Sequence, residues 1–257
     1  MKEKLTLRIK EYLGKDYMGD VYCYSVIGST NDEAKKLARA GAVHGTLVLA
    51  NTQTSGRGRG ENSFHSPEDT GIYMSVIIKP KSRKTDTLYT VAAAVAVRRV
   101  LDRYTDKKAE IKWVNDIYVS ERKVCGILCE AVREPEAEDV SAVICGIGVN
   151  LARPRSPFPD EIKNKAGYVT DKEVSKERVA AELARELLTV LDMENGNLIG
   201  EYSDNMMLRG REIYYRENGN LQKAEVTGVD CTGGLIVRDS QNKEQILRSG
   251  EVHLEKF

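Results

Sequence analysis

The chain is short of aromatic residues. They make up 6% of its 257 residues, with one tryptophan, Trp113, and three phenylalanines. That shortage argues against a surface that stacks nucleic-acid bases. Net charge is missing too. The 39 Lys and Arg residues are balanced by 39 Asp and Glu residues, so any anion site must be local and no general coating of nucleic acid or anionic membrane is expected. Long apolar runs are absent, and the longest, Val91 to Val97, is far too short to span a bilayer. The opening MKEKLTLRIKEYLG mixes charged and apolar side chains and lacks the core of a secretory signal. Cysteine is sparse and odd in number: Cys23, Cys125, Cys129, Cys145 and Cys231, with no close CxxC pair. Neither a disulfide framework nor a zinc site follows, and buried reduced thiols in a cytoplasmic protein are expected. Two phosphate motifs also fail: GxxxxGK followed by Ser or Thr does not occur, and no G-x-G-x-x-G opens a helix.

What is present is a globular composition, 41% hydrophobic and 30% charged, of a length that suits one large domain or one ordinary domain plus a small one. Leu5, Ile9 and Leu13 mark one short opening helix, which leaves no room before Val21 for a helix-turn-helix module. Strands are predicted at 21–26, 46–51 and 72–79, and four more, with tight turns, between 110 and 149. Helices are predicted after Thr30, where Thr30 and Glu33 fit a capping box and Gly41 a stop, then over 85–104, 175–193 and 198–206. From Arg211 onward short strands broken by Asn-Gly, Gly-Gly and Gln-Asn turns read as a small antiparallel barrel or sheet. The fold class is therefore α+β, a mixed sheet flanked by helices (residues 1–208) followed by a small β domain (209–257).

Four segments carry chemistry. Gln53-Thr54-Ser55-Gly56-Arg57-Gly58-Arg59-Gly60 interleaves glycines with arginines. Glycine admits close backbone approach and arginine supplies a fork of donors for phosphate or carboxylate. Lys112-Trp113-Val114-Asn115-Asp116 sets a lysine, an amide and a carboxylate at one turn. Arg122-Lys123-Val124-Cys125-Gly126-Ile127-Leu128-Cys129-Glu130 brings a lysine into an apolar strand, and Gly146-Ile147-Gly148-Val149-Asn150 ends a buried strand in an amide. Each alone has an ordinary reading: a solvated loop, a hairpin turn, a strand-end charge, a bulge.

Their order and combination, with Ser29-Thr30-Asn31 ahead of them, resemble the biotin protein ligases over about residues 21 to 257. The resemblance implies a class II synthetase-like catalytic domain and an SH3-like C-terminal barrel around Arg248-Ser249-Gly250-Glu251-Val252. It also implies a two-step ligase: biotin and MgATP give biotinyl-5′-AMP, and biotin then passes to one lysine of a biotin carboxyl carrier domain. By the same resemblance Ser29, Thr30, Asn31 and Gln53 line the biotin pocket, and Gly56, Arg57, Gly58 and Arg59 form a loop closing over biotin and adenylate. Lys123 lies at the carboxylate and α-phosphate, and Gly126 against the ligand. Lys112, Asn115, Asp116 and Asn150 stand on the nucleotide side, and Lys123, Arg57 and Asp116 are the catalytic candidates. Magnesium arrives with ATP and no fixed metal ligand is expected. The family includes monomers and homodimers, and members with an N-terminal DNA-binding module, for which residues 1–20 leave no room; neither DNA binding nor repression is expected.

The sequence departs from the family pattern at Gly60-Glu61-Asn62, where a further Gly-Arg pair is usual, and at Val114, where proline is usual. The first departure predicts a weaker grip on phosphate and a leakier adenylate. Rival readings are a lipoate- or octanoyl-transferring relative, a non-catalytic biotin-binding protein, and an RNA-binding module. The hydroxyl- and amide-rich Ser29-Thr30-Asn31 and the Gly-Arg loop favour biotin.

Overall fold

The structure is a computed structural model that describes residues 2–60, 62–68, 71–80, 86–133, 140–217 and 219–254. Seven strands form its main sheet: β1 (Val21–Ile27), β2 (Leu47–Gln53), β3 (Gly71–Ile78), β4 (Ala109–Lys112), β5 (Asp116–Val119), β6 (Arg122–Arg133) and β7 (Val140–Asn150). They lie in the order β1-β2-β3-β7-β6-β5-β4. Only β1 and β2 run parallel, because helix α2 (Thr30–Arg39) crosses between them; the other pairs are antiparallel. Each residue of β3 is buried, as a strand covered on both faces must be. One face meets α2 through a small core of Ala34, Ala38, Val48, Ile77 and Ile144. The other meets α3 (Asp86–Leu101) and α4 (Lys176–Leu191). Val91 to Val97 of α3 are fully buried, which explains why that helix is apolar on every side. α1 (Lys2–Leu13) adds Ile9 and Leu13 to the same core, and α5 (Asn195–Asp204) adds Leu198 and Tyr202. Among the described residues, no helix is long and apolar enough to cross a membrane.

The predicted elements are present with ends moved by a few residues, but the predicted capping box is not. Ser29, not Thr30, is the N-cap of α2, and its side chain makes no capping bond. Thr30 Oγ1 instead donates to Gln53 Oε1 (3.1 Å), and Glu33 accepts from the Tyr24 hydroxyl (2.9 Å). Tertiary partners have taken the two side chains that a local cap would use. Gly41, with φ +91°, does stop the helix.

The C-terminal strands are β8 (Glu212–Glu217), β9 (Asn220–Val229), β10 (Leu235–Arg238), β11 (Glu244–Leu247) and β12 (Val252–His253). They form an antiparallel sheet in the order β11-β10-β9-β8-β12. The expected barrel is thus met as a sheet, with no closing ladder between β11 and β12 among the described residues. It is docked on the main body. The Trp113 indole N–H donates to the Gly233 carbonyl (2.9 Å). Gly233, at φ +87°, lies so close to α3 that a Cβ there would meet Thr87 and Val91 side chains at 2.9 and 3.0 Å.

Candidate active site

One face of β6 and β7 organises the site. Side chains alternate along a strand, so Gly126, Leu128 and Glu130 share a face with their β7 partners Gly148, Gly146 and Ile144. The first turn of α2 lies over this face. Asn31 and Lys35, one turn apart on α2, both reach Glu130: Asn31 Nδ2 donates to Glu130 Oε2 (2.8 Å), and Lys35 Nζ pairs with Oε1 (2.7 Å). The second amide proton of Asn31 goes to the Leu128 carbonyl (3.2 Å). Asn31 Oδ1 accepts from Ser75 Oγ (2.6 Å), which also lies 2.8 Å from Thr30 Oγ1. Gln53 Oε1 accepts from the Thr30 backbone N–H (2.8 Å), and its Nε2 donates to Ser66 Oγ (2.9 Å). Ser29, Thr30, Asn31, Ser66 and Ser75 are all buried. In a protein interior such a group is tolerated only when hydrogen-bonded, and here each of the amides is oriented by its partners. Gly146 makes this packing possible: a Cβ there would sit 2.1 Å from Asn31 Oδ1.

The Gly-Arg loop folds back on itself. Phe64 N–H donates to the Gly56 carbonyl (2.9 Å) and Gly58 N–H to the Asn62 carbonyl (2.7 Å). Gly56 is tucked so tightly that a Cβ would lie 2.7 Å from Ser66 Oγ and closer still to the Phe64 carbonyl. The Phe64 ring lies on the two strand glycines, where a Cβ at Gly148 or Gly126 would meet it at 2.6 and 3.2 Å. Arg57 turns toward α2 and pairs with Asp32 (2.8 Å) and Glu130 (3.4 Å), which together hold its guanidinium more firmly protonated. The Arg59 carbonyl accepts from the Asn62 N–H (3.2 Å), while its side chain makes no hydrogen bond or ion pair among the described residues and acts electrostatically on the buried Tyr202, against Asp116. Glu61 lies outside the described residues. Asn62 Nδ2 donates to Glu251 Oε1 (3.1 Å), so the loop touches the C-terminal sheet.

The Lys-Trp turn forms the other end. Lys112 pairs across the β4–β5 ladder with Asp116, whose Oδ1 lies 2.7 Å from Lys123 Nζ in an ion pair outside hydrogen-bonding angles. Burial holds the Lys112 ammonium below its ordinary value; Asp116 opposes this and Lys123 adds to it. Burial and then Asp116 push the Tyr118 hydroxyl up to about 12. The Trp113–Val114 peptide is cis, and the Val114 carbonyl accepts from Tyr202 (3.1 Å). Asn115 has an architectural task, since its Nδ2 donates to the Ile127 carbonyl (2.9 Å). Asn150 Nδ2 likewise holds the Gly167 carbonyl (3.0 Å). Glu251, beside the C-terminal strand β12, and Lys165 act on Lys112, and all three act on the neighbouring His253 imidazole.

The predicted site residues thus fall on one strand face, in two groups rather than at one point. Ser29, Thr30, Asn31, Gln53, Gly56 and Arg57 gather at the Glu130 end, and Lys112, Asn115, Asp116 and Lys123 at the other. Positions 123 and 130 of an extended strand are roughly 23 Å apart. Gly126, beneath Phe64, lies between. Ser75, Ser66, Asp32, Glu130, Phe64 and the Glu251–His253 pair are contributors that the candidate set omits. Ser75 had a readable signal, a hydroxyl inside the apolar run IYMSVIIK. Among the described residues no group of three or more His, Cys, Asp or Glu side chains converges to hold a metal ion. A groove of about 530 Å³ between α3 and α4 is lined by Arg103, Tyr104, Arg178, Glu182, Arg185 and their neighbours. It lies on the helical side, and its Arg103 and Arg178 are paired with Glu182 (both 3.0 Å).

Four similarities bear on this arrangement. The bifunctional ligase/repressor BirA of Bacillus spizizenii is 42% identical over 157 residues, covering 60% of this chain and 47% of that protein; the chain thus spans about half the length of that relative. The biotin–acetyl-CoA-carboxylase ligase of Paracoccus denitrificans is 28% identical over 234 residues, 87% of this chain and 96% of that protein. The fold is that of the biotin protein ligase from Aquifex aeolicus solved with biotin and ATP, with a TM-score of 0.78 over 93% of this chain and 99% of that one, at 24% identity. The sequence profile of the biotin/lipoate A/B protein ligases matches residues 23–150, a stretch that contains each predicted site residue. Residues 23–150 of the chain thus form a domain of the biotin/lipoate A/B protein ligase family.

Proposed function

We propose that the chain is a biotin protein ligase. It activates biotin with MgATP to biotinyl-5′-AMP and transfers biotin to a lysine of a biotin carboxyl carrier domain. Residues 1–208 form the catalytic unit and residues 209–257 a unit that borders the nucleotide side. The observation that carries this reading is the junction of a buried polar floor with a cationic turn on one strand face. The ureido group of biotin offers donors and an acceptor; Thr30, Asn31 and Gln53 carry both kinds of group held in fixed orientations, with the buried Ser29 beside them. A fatty chain gains nothing from such a floor, which places lipoate second.

The first step joins a carboxylate to a polyanion. Two like charges about 4 Å apart cost about 4 kcal/mol at an effective dielectric near 20, and each further phosphate charge adds to this. Lys112, Lys123 and Arg59 supply the opposing field where the carboxylate meets the α-phosphate, with Arg57 on the biotin side. Asn115 and Asn150 act here by setting the strand ends that carry Lys112, Asp116 and Lys123. Magnesium enters as the counter-ion of the nucleotide. In the second step the incoming amine must be neutral to attack, and Asp116 orients it or accepts its proton. The Gly-Arg loop, with Phe64, shields the mixed anhydride from water. Asn62 in place of a cation weakens the phosphate grip of that loop.

The test is ATP–pyrophosphate exchange with biotin and with lipoate in parallel, followed by transfer to a purified biotin carrier domain. Exchange with biotin and labelling of the carrier lysine are expected. Exchange with lipoate alone would transfer the assignment to the lipoate branch, and exchange with neither would reduce the protein to a binding role.

A further inference from the structure

Arg57 is the loop cation nearest the polar floor, yet among the described residues its guanidinium pairs with two carboxylates of the chain itself. Asp32, in the first turn of α2, lies 2.8 Å from Nη1, and Glu130, on β6, lies 3.4 Å from Nη2. The arginine therefore bridges a helix, a strand and its own loop. We propose that Asp32 and Glu130 form a clasp of resident counter-anions, which holds Arg57 and the 56–64 loop in place until an anionic ligand takes the guanidinium over. This deepens the ligase reading and rests on it for the identity of that anion.

Three features make the exchange inexpensive. Asp32 is half exposed, so water replaces the arginine when it leaves. Glu130 is more enclosed, but it keeps Lys35 at 2.7 Å and Asn31 at 2.8 Å, so neither of its oxygens is left buried and unpaired. The four side chains Asp32, Lys35, Arg57 and Glu130 are neutral as a set, so Arg57 is offset before the ligand arrives. An incoming carboxylate competes with two charges already in place, and a neutral ligand does not. The clasp thereby sets how strongly the site separates anionic from neutral forms of one ligand, and it places Asp32 and Glu130 as positioning residues.

The experiment compares wild type, Asp32→Asn and Glu130→Gln by two measurements. The first is calorimetric titration with biotin and with its neutral amide. The Asp32 side chain pairs with Arg57 and Lys35 and makes no hydrogen bond to the polar floor, so Asp32→Asn should tighten biotin about threefold, the size of an exposed ion pair, and leave the amide unchanged. Glu130→Gln disturbs Asn31 for both ligands alike, so the ratio of their affinities should still rise. The second is hydrogen exchange of the ligand-free protein at the Gly58, Asn62 and Phe64 amides, which the folded-back loop protects. Both variants should exchange several-fold faster there and at wild-type rates elsewhere. An unchanged affinity ratio, or wild-type exchange in the loop, overturns the clasp. Wild-type protein that binds neither ligand overturns the biotin reading instead, and the exchange measurement still decides whether the clasp holds the loop.

Discussion

The contact between Gly146 and Asn31 can be tested with a single methyl group. Gly146 is in extended backbone, so alanine suits its conformation and should by itself stabilise the strand by about 0.5–1 kcal/mol. The structure predicts the opposite sign. The new Cβ would sit 2.1 Å from Asn31 Oδ1, 2.8 Å from Cγ and 2.9 Å from Nδ2. The amide must retreat by about 1.3 Å to reach ordinary contact. It is anchored on opposite sides by Ser75, the Leu128 carbonyl and Glu130, so it cannot retreat and keep these bonds. Three bonds at about 1 kcal/mol each, less the backbone gain, leave a net cost of about 2–2.5 kcal/mol. For a chain of this size that lowers Tm by about 5–10 °C. Differential scanning calorimetry of Gly146→Ala reads the shift, and titration reads the accompanying loss of biotin affinity. Asn31→Ala removes the obstructing amide, so the cost of Gly146→Ala should vanish in that background. A Tm within about 1 °C of wild type, or the same cost in both backgrounds, refutes the reasoning.

Three further outcomes follow from the geometry. Lys123→Ala should lower ATP–pyrophosphate exchange by about 10²–10³-fold with an unchanged circular dichroism spectrum; near-wild-type exchange would remove Lys123 from the chemistry. Burial, and then Lys112, hold the His253 imidazole below its ordinary value of 6.5. The unfolded chain therefore takes up the proton first, so this part of the stability is complete above 6.5 and is lost as pH falls below it. His253→Gln should flatten that decline in thermal melts run from about pH 7 to about pH 5, and an unaltered profile would count against the assignment. Cys231 is exposed while Cys23, Cys125 and Cys145 are buried, so brief iodoacetamide treatment of the native protein should mark Cys231 first. Equal labelling of all five thiols would contradict the packing of β6 and β7.

Most of the architecture was legible because periodicity and turn residues report burial directly: the apolar run around Val91 could only be an enclosed helix, and the alternating C-terminal segments only a sheet. The polar interior was less legible. Thr30 and Glu33 have the spacing of a cap, but their partners, Gln53 and Tyr24, are distant in sequence. The glycines of β6 and β7 read as places of close approach, and the chain itself approaches them, Asn31 at Gly146 and Phe64 at Gly148 and Gly126. Arg57 reads as an anion-gripping residue, but sequence spacing carries no sign of Asp32 and Glu130 beside it. The contribution of Glu251 and His253 depends on how the small sheet docks, which is set by Trp113 and Gly233 rather than by any local pattern.

That docking bond gives the molecule an intrinsic optical reporter. Trp113 is the only indole in the chain, it is buried, and its N–H crosses the seam to the Gly233 carbonyl. Its fluorescence therefore belongs to one location, the boundary between the two β layers, one residue from Lys112. If the small sheet lifts away, the ring meets water and the emission maximum moves to longer wavelength, whatever becomes of the rest of the fold. Followed during heating beside far-ultraviolet ellipticity, the unlabelled protein reports whether the seam opens before the body melts or together with it.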